Sequence, residues 1–209
     1  MQNRLNELTE RYSQLLPARE QIIRAAESLI NCYRQGNKVL VCGNGGSCSD
    51  SDHIVGELMK GFERMRPVGK DLKDRLMTID GERGTYLAAK LQQALPAISL
   101  TAHQALITAV SNDNGADLIF AQQVVGYGNE GDILIAITTS GNSRNVVDAA
   151  ITAKAKGLTV IGLTGESGGN LASVCDILIN VPGKSTAHVQ ELHLPVYHTL
   201  CQMVESHFF

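Results

Sequence analysis

The chain has 209 residues, 44% of them hydrophobic, which is enough for a buried core and excludes disorder as the main state. Lys and Arg number 18 against 21 Asp and Glu, and the net charge of −3 offers no general attraction to nucleic acid or to an anionic membrane. No apolar run approaches the roughly 18 residues of a membrane span, and the polar N-terminus is unlike a signal peptide, so the expectation is a soluble cytoplasmic protein.

Up to Gln35 the apolar residues recur at helical spacing, Leu5, Leu8, Tyr12, Leu15 and Leu16 and then Ile22, Ile23, Ala26, Leu29, Ile30 and Tyr33, punctuated by Pro17 and Gly36. Residues 1–36 therefore read as amphipathic helices that cover a sheet or pair with another subunit, and we expect the latter. From Lys38 onward, short apolar runs end in Gly, Ser or Thr and give way to helical stretches. Val39–Cys42, Ala97–Leu100, Ile133–Ile137, Leu158–Leu163 and Ile177–Val181 are the candidate strands. Continuous apolar strands alternating with helices predict a three-layer α/β sandwich on a parallel sheet, one domain over 1–209, with ligands bound beyond the strand C-termini. Residues 66–95 break this rhythm. The first part is charged, the second from Tyr86 suits a short helix, and so long an excursion reads as a lid, an oligomer contact or a mobile stretch.

The first strand runs into Cys42-Gly43-Asn44-Gly45-Gly46-Ser47 ahead of a helix. Glycines there let backbone N–H groups approach an anion at the helix N-terminus. The loop is neither a dinucleotide fingerprint, since Cys48 stands where a third glycine belongs, nor a Walker A loop, so no nucleotide cofactor is expected. After the third strand comes Thr138-Thr139-Ser140-Gly141-Asn142-Ser143, a hydroxyl-rich run before a helix that suits an uncharged phosphate cradle; capping explains one such residue, not several. Leu163-Thr164-Gly165 has the same character. Ser111 to Gly115 adds polar side chains suited to sugar hydroxyls, although an Asn-rich turn needs no ligand.

His53 and Glu57, four residues apart after the Gly-rich loop, share a helix face and supply an imidazole and a general base. Near the C-terminus, His188, His193 and His198 fall within eleven residues. On an ideal helix Glu191 points the same way as His198, whereas Gln190 is turned from it by about 80°, and Pro195 adds a kink. The five cysteines, without paired metal-ligand spacing, read as reduced thiols.

Taken together, the Gly43 to Ser47 loop, His53-x-x-x-Glu57, the Thr138 to Ser143 run, Leu163-Thr164-Gly165 and Gln190-Glu191-x-His193-x-x-x-x-His198 resemble the phosphoheptose isomerases of the sugar isomerase (SIS) domain family. The resemblance implies a five-stranded flavodoxin-like sandwich, a homotetramer with active sites at subunit interfaces, and conversion of sedoheptulose 7-phosphate to an aldoheptose 7-phosphate for bacterial surface polysaccharide. It implies Glu57 as general base and His198 as its acid/base partner. His53, Glu57, Gln190 and His198 match the ligands of a zinc ion seen in some members. Ser47, Thr138, Thr139, Ser140 and Ser143 match phosphate-binding positions, with Gly45 and Gly46 beside them, Gln190 close by, and Asn44 and Asp113 near the sugar. The resemblance selects Gln190 where helix geometry selects Glu191, and the conflict stands at this point.

Departures bear on the substrate. The arginine that the heptose enzymes carry four residues after the base is Gly61 here, the acid before the glutamine is Ala187, and Cys48-Ser49 replaces a His-Cys pair. A competing reading is a non-catalytic SIS protein resembling the tetrameric regulator that binds a replication initiator. In that pattern the base and last histidine are lost, whereas this chain keeps Glu57 and His198, which favours the enzyme.

Overall fold

The computed structural model describes residues 2–209. Its sheet consists of β1 (Val39–Gly43), β2 (Ala97–Ser99), β3 (Ile133–Ile137), β4 (Thr159–Thr164) and β5 (Ile177–Asn180). All neighbours are parallel, in the order β2-β1-β3-β4-β5. The expected parallel α/β sandwich is thus present. Every residue of β1 and β3 is buried, because helices cover both faces and leave no solvent side. Alternate residues divide between the faces. Val39, Val41, Ile133 and Ile135 pack with α1 (Gln2–Arg11), α2 (Arg19–Arg34), α3 (Gly46–Met59) and α9 (Thr186–Phe208). Leu40, Cys42, Leu134 and Ala136 pack with α7 (Ala121–Tyr127) and α8 (Arg144–Ala155).

The apolar stripe of α2, Ile22, Ala25, Ala26, Leu29, Ile30 and Tyr33, is spent within the chain, on the sheet and α9. α1 adds Leu5 and Leu8 to the same core. No helix is long and apolar enough, among the described residues, to cross a membrane.

Residues 66–95 form a helical hairpin of α4 (Lys70–Ile79) and α5 (Gly81–Lys90). The charged half is helical too. α5 starts at Gly81, ahead of the apolar pattern, because Asp80 caps it by accepting from the Arg83 amide at 2.8 Å. No residue of α4 is buried, and Leu72, Met77, Ile79, Tyr86 and Leu91 stay exposed. The feet of the hairpin are tied together by an antiparallel bridge between Pro67 and Gln92 and by the Gln93 amide donating to the Arg66 carbonyl at 2.6 Å.

α6 (Gln104–Asp113) completes the helices. The sheet order places β1 beside β3, so the chain leaves the sheet in opposite directions there and a crevice opens beyond the strand ends.

Candidate active site

At this crevice the loop after β1 meets the loop after β3. Gly45, with φ of +57°, makes the turn into α3, a backbone state that a side chain would strain. Asn44 and Asn145 exchange amide hydrogen bonds of 2.8 and 2.9 Å across the crevice. Ser47 is buried in the first turn of α3. Gly46 faces the Gln190 side chain so closely that a Cβ there would overlap the amide. Gln190, not the exposed Glu191, is therefore the residue of α9 that reaches this loop.

Thr138 is buried and its hydroxyl pairs with that of Ser143 at 2.9 Å. Ser143 stands at the N-cap of α8, yet it makes no side-chain bond to the helix's own amides. The first turn of α8 consequently keeps its positive end open to an anion. Ser140 is exposed and its hydroxyl accepts from the Asn142 amide at 3.2 Å. Thr139 and Ser140 border a cavity of about 530 Å³ whose far wall holds Glu166, Lys184, Ser185 and Thr186. Lys184 is a cation that the neutral phosphate reading did not include. Asp113 is exposed at the C-terminus of α6, where its carboxylate accepts from the Asn112 side chain at 2.8 Å.

His53 and Glu57 meet as helix spacing requires, with Nε2 3.2 Å from Oε1. The other ring nitrogen of His53 lies 3.0 Å from the Tyr197 hydroxyl, which donates to Asp50 at 3.2 Å. Burial, and next the Asp50 charge, push the Tyr197 pKa up, so the phenol stays protonated. The second ring nitrogen of His53, Nε2, is the one turned toward Glu57. Burial likewise raises the Asp50 carboxyl, against the Tyr197 hydrogen bond.

His198 packs edge-on to His53, with ring centroids 4.9 Å apart, and tilts against Phe62 at 5.3 Å. Its Nε2 is buried without a hydrogen-bond partner among the described residues. Burial and then the neighbouring His53 lower its pKa, opposed by Glu57, so it is neutral at neutral pH. On its other side His198 borders a groove of about 200 Å³ shared with Arg4, Arg11 and Gln202.

The expected zinc ion does not fit this arrangement. Among the described residues no three His, Cys, Asp or Glu side chains converge to hold a metal ion. His53 directs one nitrogen at Glu57 and the other at Tyr197, the second oxygen of Glu57 lies 3.5 Å from Lys60, and Gln190 lies against Gly46. Of the ligand set named from the resemblance, His53, Glu57 and Gln190 are engaged in contacts within the protein, and only His198 keeps an unpartnered nitrogen.

Asp50, Tyr197 and Asn145 escaped the sequence reading, as did a buried ion pair behind the base. Arg66 and Glu205, almost fully buried, sit 2.8 Å apart at the C-terminus of α3. Burial alone would raise the Glu205 carboxyl, but the amides of Glu63 and Phe62 and the Arg66 guanidinium outweigh it and hold it low. Gly61 is pressed on the Arg64 carbonyl and on Gln92, whose oxygen accepts from the Gly61 amide at 3.1 Å. No larger side chain fits there without moving the hairpin's foot.

Fold and site together define an α/β domain that handles phosphorylated sugars. The SIS domain profile matches residues 4–75 and 81–165, and the chain belongs to that family. It is 40% identical to the phosphoheptose isomerase of Shewanella sediminis over 200 residues, 94% of this chain and 87% of that one. With the phosphoheptose isomerase of Rhodospirillum rubrum the identity is 41% over 185 residues, 88% and 85% of the two chains. The structure of a phosphoheptose isomerase from Francisella tularensis superposes with a TM-score of 0.74 at 35% identity, covering 97% of this chain and 98% of the other.

Proposed function

We propose that this chain is a phosphoheptose isomerase that interconverts sedoheptulose 7-phosphate and D-glycero-D-manno-heptose 7-phosphate through an enediol, in heptose biosynthesis for bacterial surface polysaccharide. The observation that carries the reading is Glu57. It is a carboxylate oriented by His53, close to an unpartnered neutral imidazole and one helix away from a hydroxyl-lined cradle. The relatives named above, matched over most of their length, support the same reaction.

Ser47, Thr138, Thr139, Ser140 and Ser143, with the backbone at Gly45 and Gly46, hold the phosphate, and Gln190 closes that end. Asn44 acts through Asn145 as a brace between the loops. Asp113 serves the sugar. With the phosphate held, Glu57 removes the proton from C1 of the ketose. His198 gives a proton to the C2 oxygen and takes one from the C1 hydroxyl, and Glu57 returns its proton to C2, so no atom is gained or lost. A C–H beside a carbonyl is a weak acid, and a base and donor fixed before the substrate arrives lower the barrier without reorganisation.

The chain acts as one SIS domain, and the assembly is a homotetramer with active sites at subunit interfaces. The groove beside His198 and the exposed apolar side chains of the hairpin support this. Incubating the purified protein with C5, C6 and C7 ketose phosphates tests the activity. Turnover confined to the C7 substrate is the expected result, and inertness toward all three would end the reading. Light scattering that returned a monomer would remove the tetramer.

A further inference from the structure

We propose that Arg66 is a positioning residue for Glu57, holding from behind the last turn of the helix that carries the base. The inference rests on the isomerase reading above. Glu57 belongs to the final turn of α3, which ends at Met59. The last carbonyls of a helix have no partner within it, and such turns fray unless something outside accepts the role. A base placed there has poor intrinsic support.

Arg66 supplies the missing donors. Its Nη1 donates to the Leu58 carbonyl at 2.7 Å and its Nη2 to the carbonyl of Glu57 itself at 3.1 Å. The same guanidinium turns Nε to Glu205 at 2.9 Å. Glu205 in turn accepts from the amides of Phe62 and Glu63, both at 2.8 Å, and so fastens the segment leaving the helix. The Phe209 ring covers the guanidinium at 4.8 Å. A cation buried this completely is costly unless every donor is matched, and here a carboxylate and two helix-end carbonyls match it. Only a planar fork reaches all of them at once, which a lysine ammonium does not. None of these contacts touches the phosphate loops.

A base misplaced by about 1 Å costs on the order of 100-fold in rate. The Arg66→Lys variant should therefore keep KM for the sugar phosphate and lose about 100-fold in kcat, measured well below its unfolding midpoint. Glu205→Gln, which keeps the shape but weakens the grip on Arg66, should show the same split with a smaller loss, and it carries the test if circular dichroism finds Arg66→Lys unfolded. A variant that is folded and turns over like wild type, or that loses only KM, overturns the role. Wild-type protein assayed beside them separates the two ideas. Its failure to turn over any ketose phosphate sinks the isomerase reading, whereas wild-type turnover undiminished in the variants overturns Arg66 alone.

Discussion

Asn44 and Asn145, 101 residues apart in sequence, join the loops after β1 and β3 through two reciprocal amide hydrogen bonds. Each amide is both donor and acceptor, so the pair fixes the distance between the N-termini of α3 and α8, the two helix ends aimed at the phosphate. Asn145→Ala removes both bonds. At about 1 kcal/mol for an exposed pair, KM should rise about 5-fold with kcat nearly constant, as steady-state kinetics would register.

Ser143→Ala acts at the same cradle by another route. It leaves the buried Thr138 hydroxyl without its 2.9 Å partner and removes a group proposed to touch the phosphate. The orphaned hydroxyl lowers stability, while a lost hydrogen bond to the charged phosphate costs about 1.5–3 kcal/mol, so KM should rise roughly 10-fold or more. An unchanged KM would move the phosphate toward Lys184.

Glu57→Gln keeps the outline of the side chain while removing the base. Exchange of the substrate's C1 or C2 proton with deuterated water, followed by NMR, should fall to background while inorganic phosphate still binds. Exchange at the wild-type rate would reassign the base.

His193 predicts a loss of stability on acidification. It is fully buried, and burial pushes its pKa down to about 4, offset only in part by the nearby Thr164 backbone. Unfolded, the imidazole takes its proton near 6.5, so between 6.5 and 4 the unfolded chain binds more protons than the folded one. Stability from this group is complete above 6.5 and is lost as pH falls toward 4, by about 3 kcal/mol in all. Urea midpoints at pH 7 and pH 5 should differ, and His193→Leu should flatten that difference if its other effects are independent of pH.

Much of the sheet was legible in the sequence because strands buried on both faces leave continuous apolar runs; β3 was expected at Ile133–Ile137 and lies there. The choice between Gln190 and Glu191 was not legible from spacing. Helix geometry was measured from His198, whereas Tyr197, seven residues after Gln190, marks the face turned toward α3 through its contact with His53. The zinc expectation failed for a reason that spacing cannot show, since among the described residues no three His, Cys, Asp or Glu side chains converge. Arg66 gave no signal of its own within a charged stretch; its partners Glu205 and Leu58 become neighbours only when α9 packs on α3.

The bridge between Pro67 and Gln92 sets the two ends of the α4–α5 hairpin side by side. Strands so paired stand about 5 Å apart, a gap that a short turn spans. The hairpin could thus be gained, lost or exchanged over evolutionary time without shifting a strand of the sheet. What such a change cannot spare is Gln92, whose side chain holds the Gly61 and Arg66 amides. Natural variation in this protein should accordingly be narrow at the feet of the hairpin.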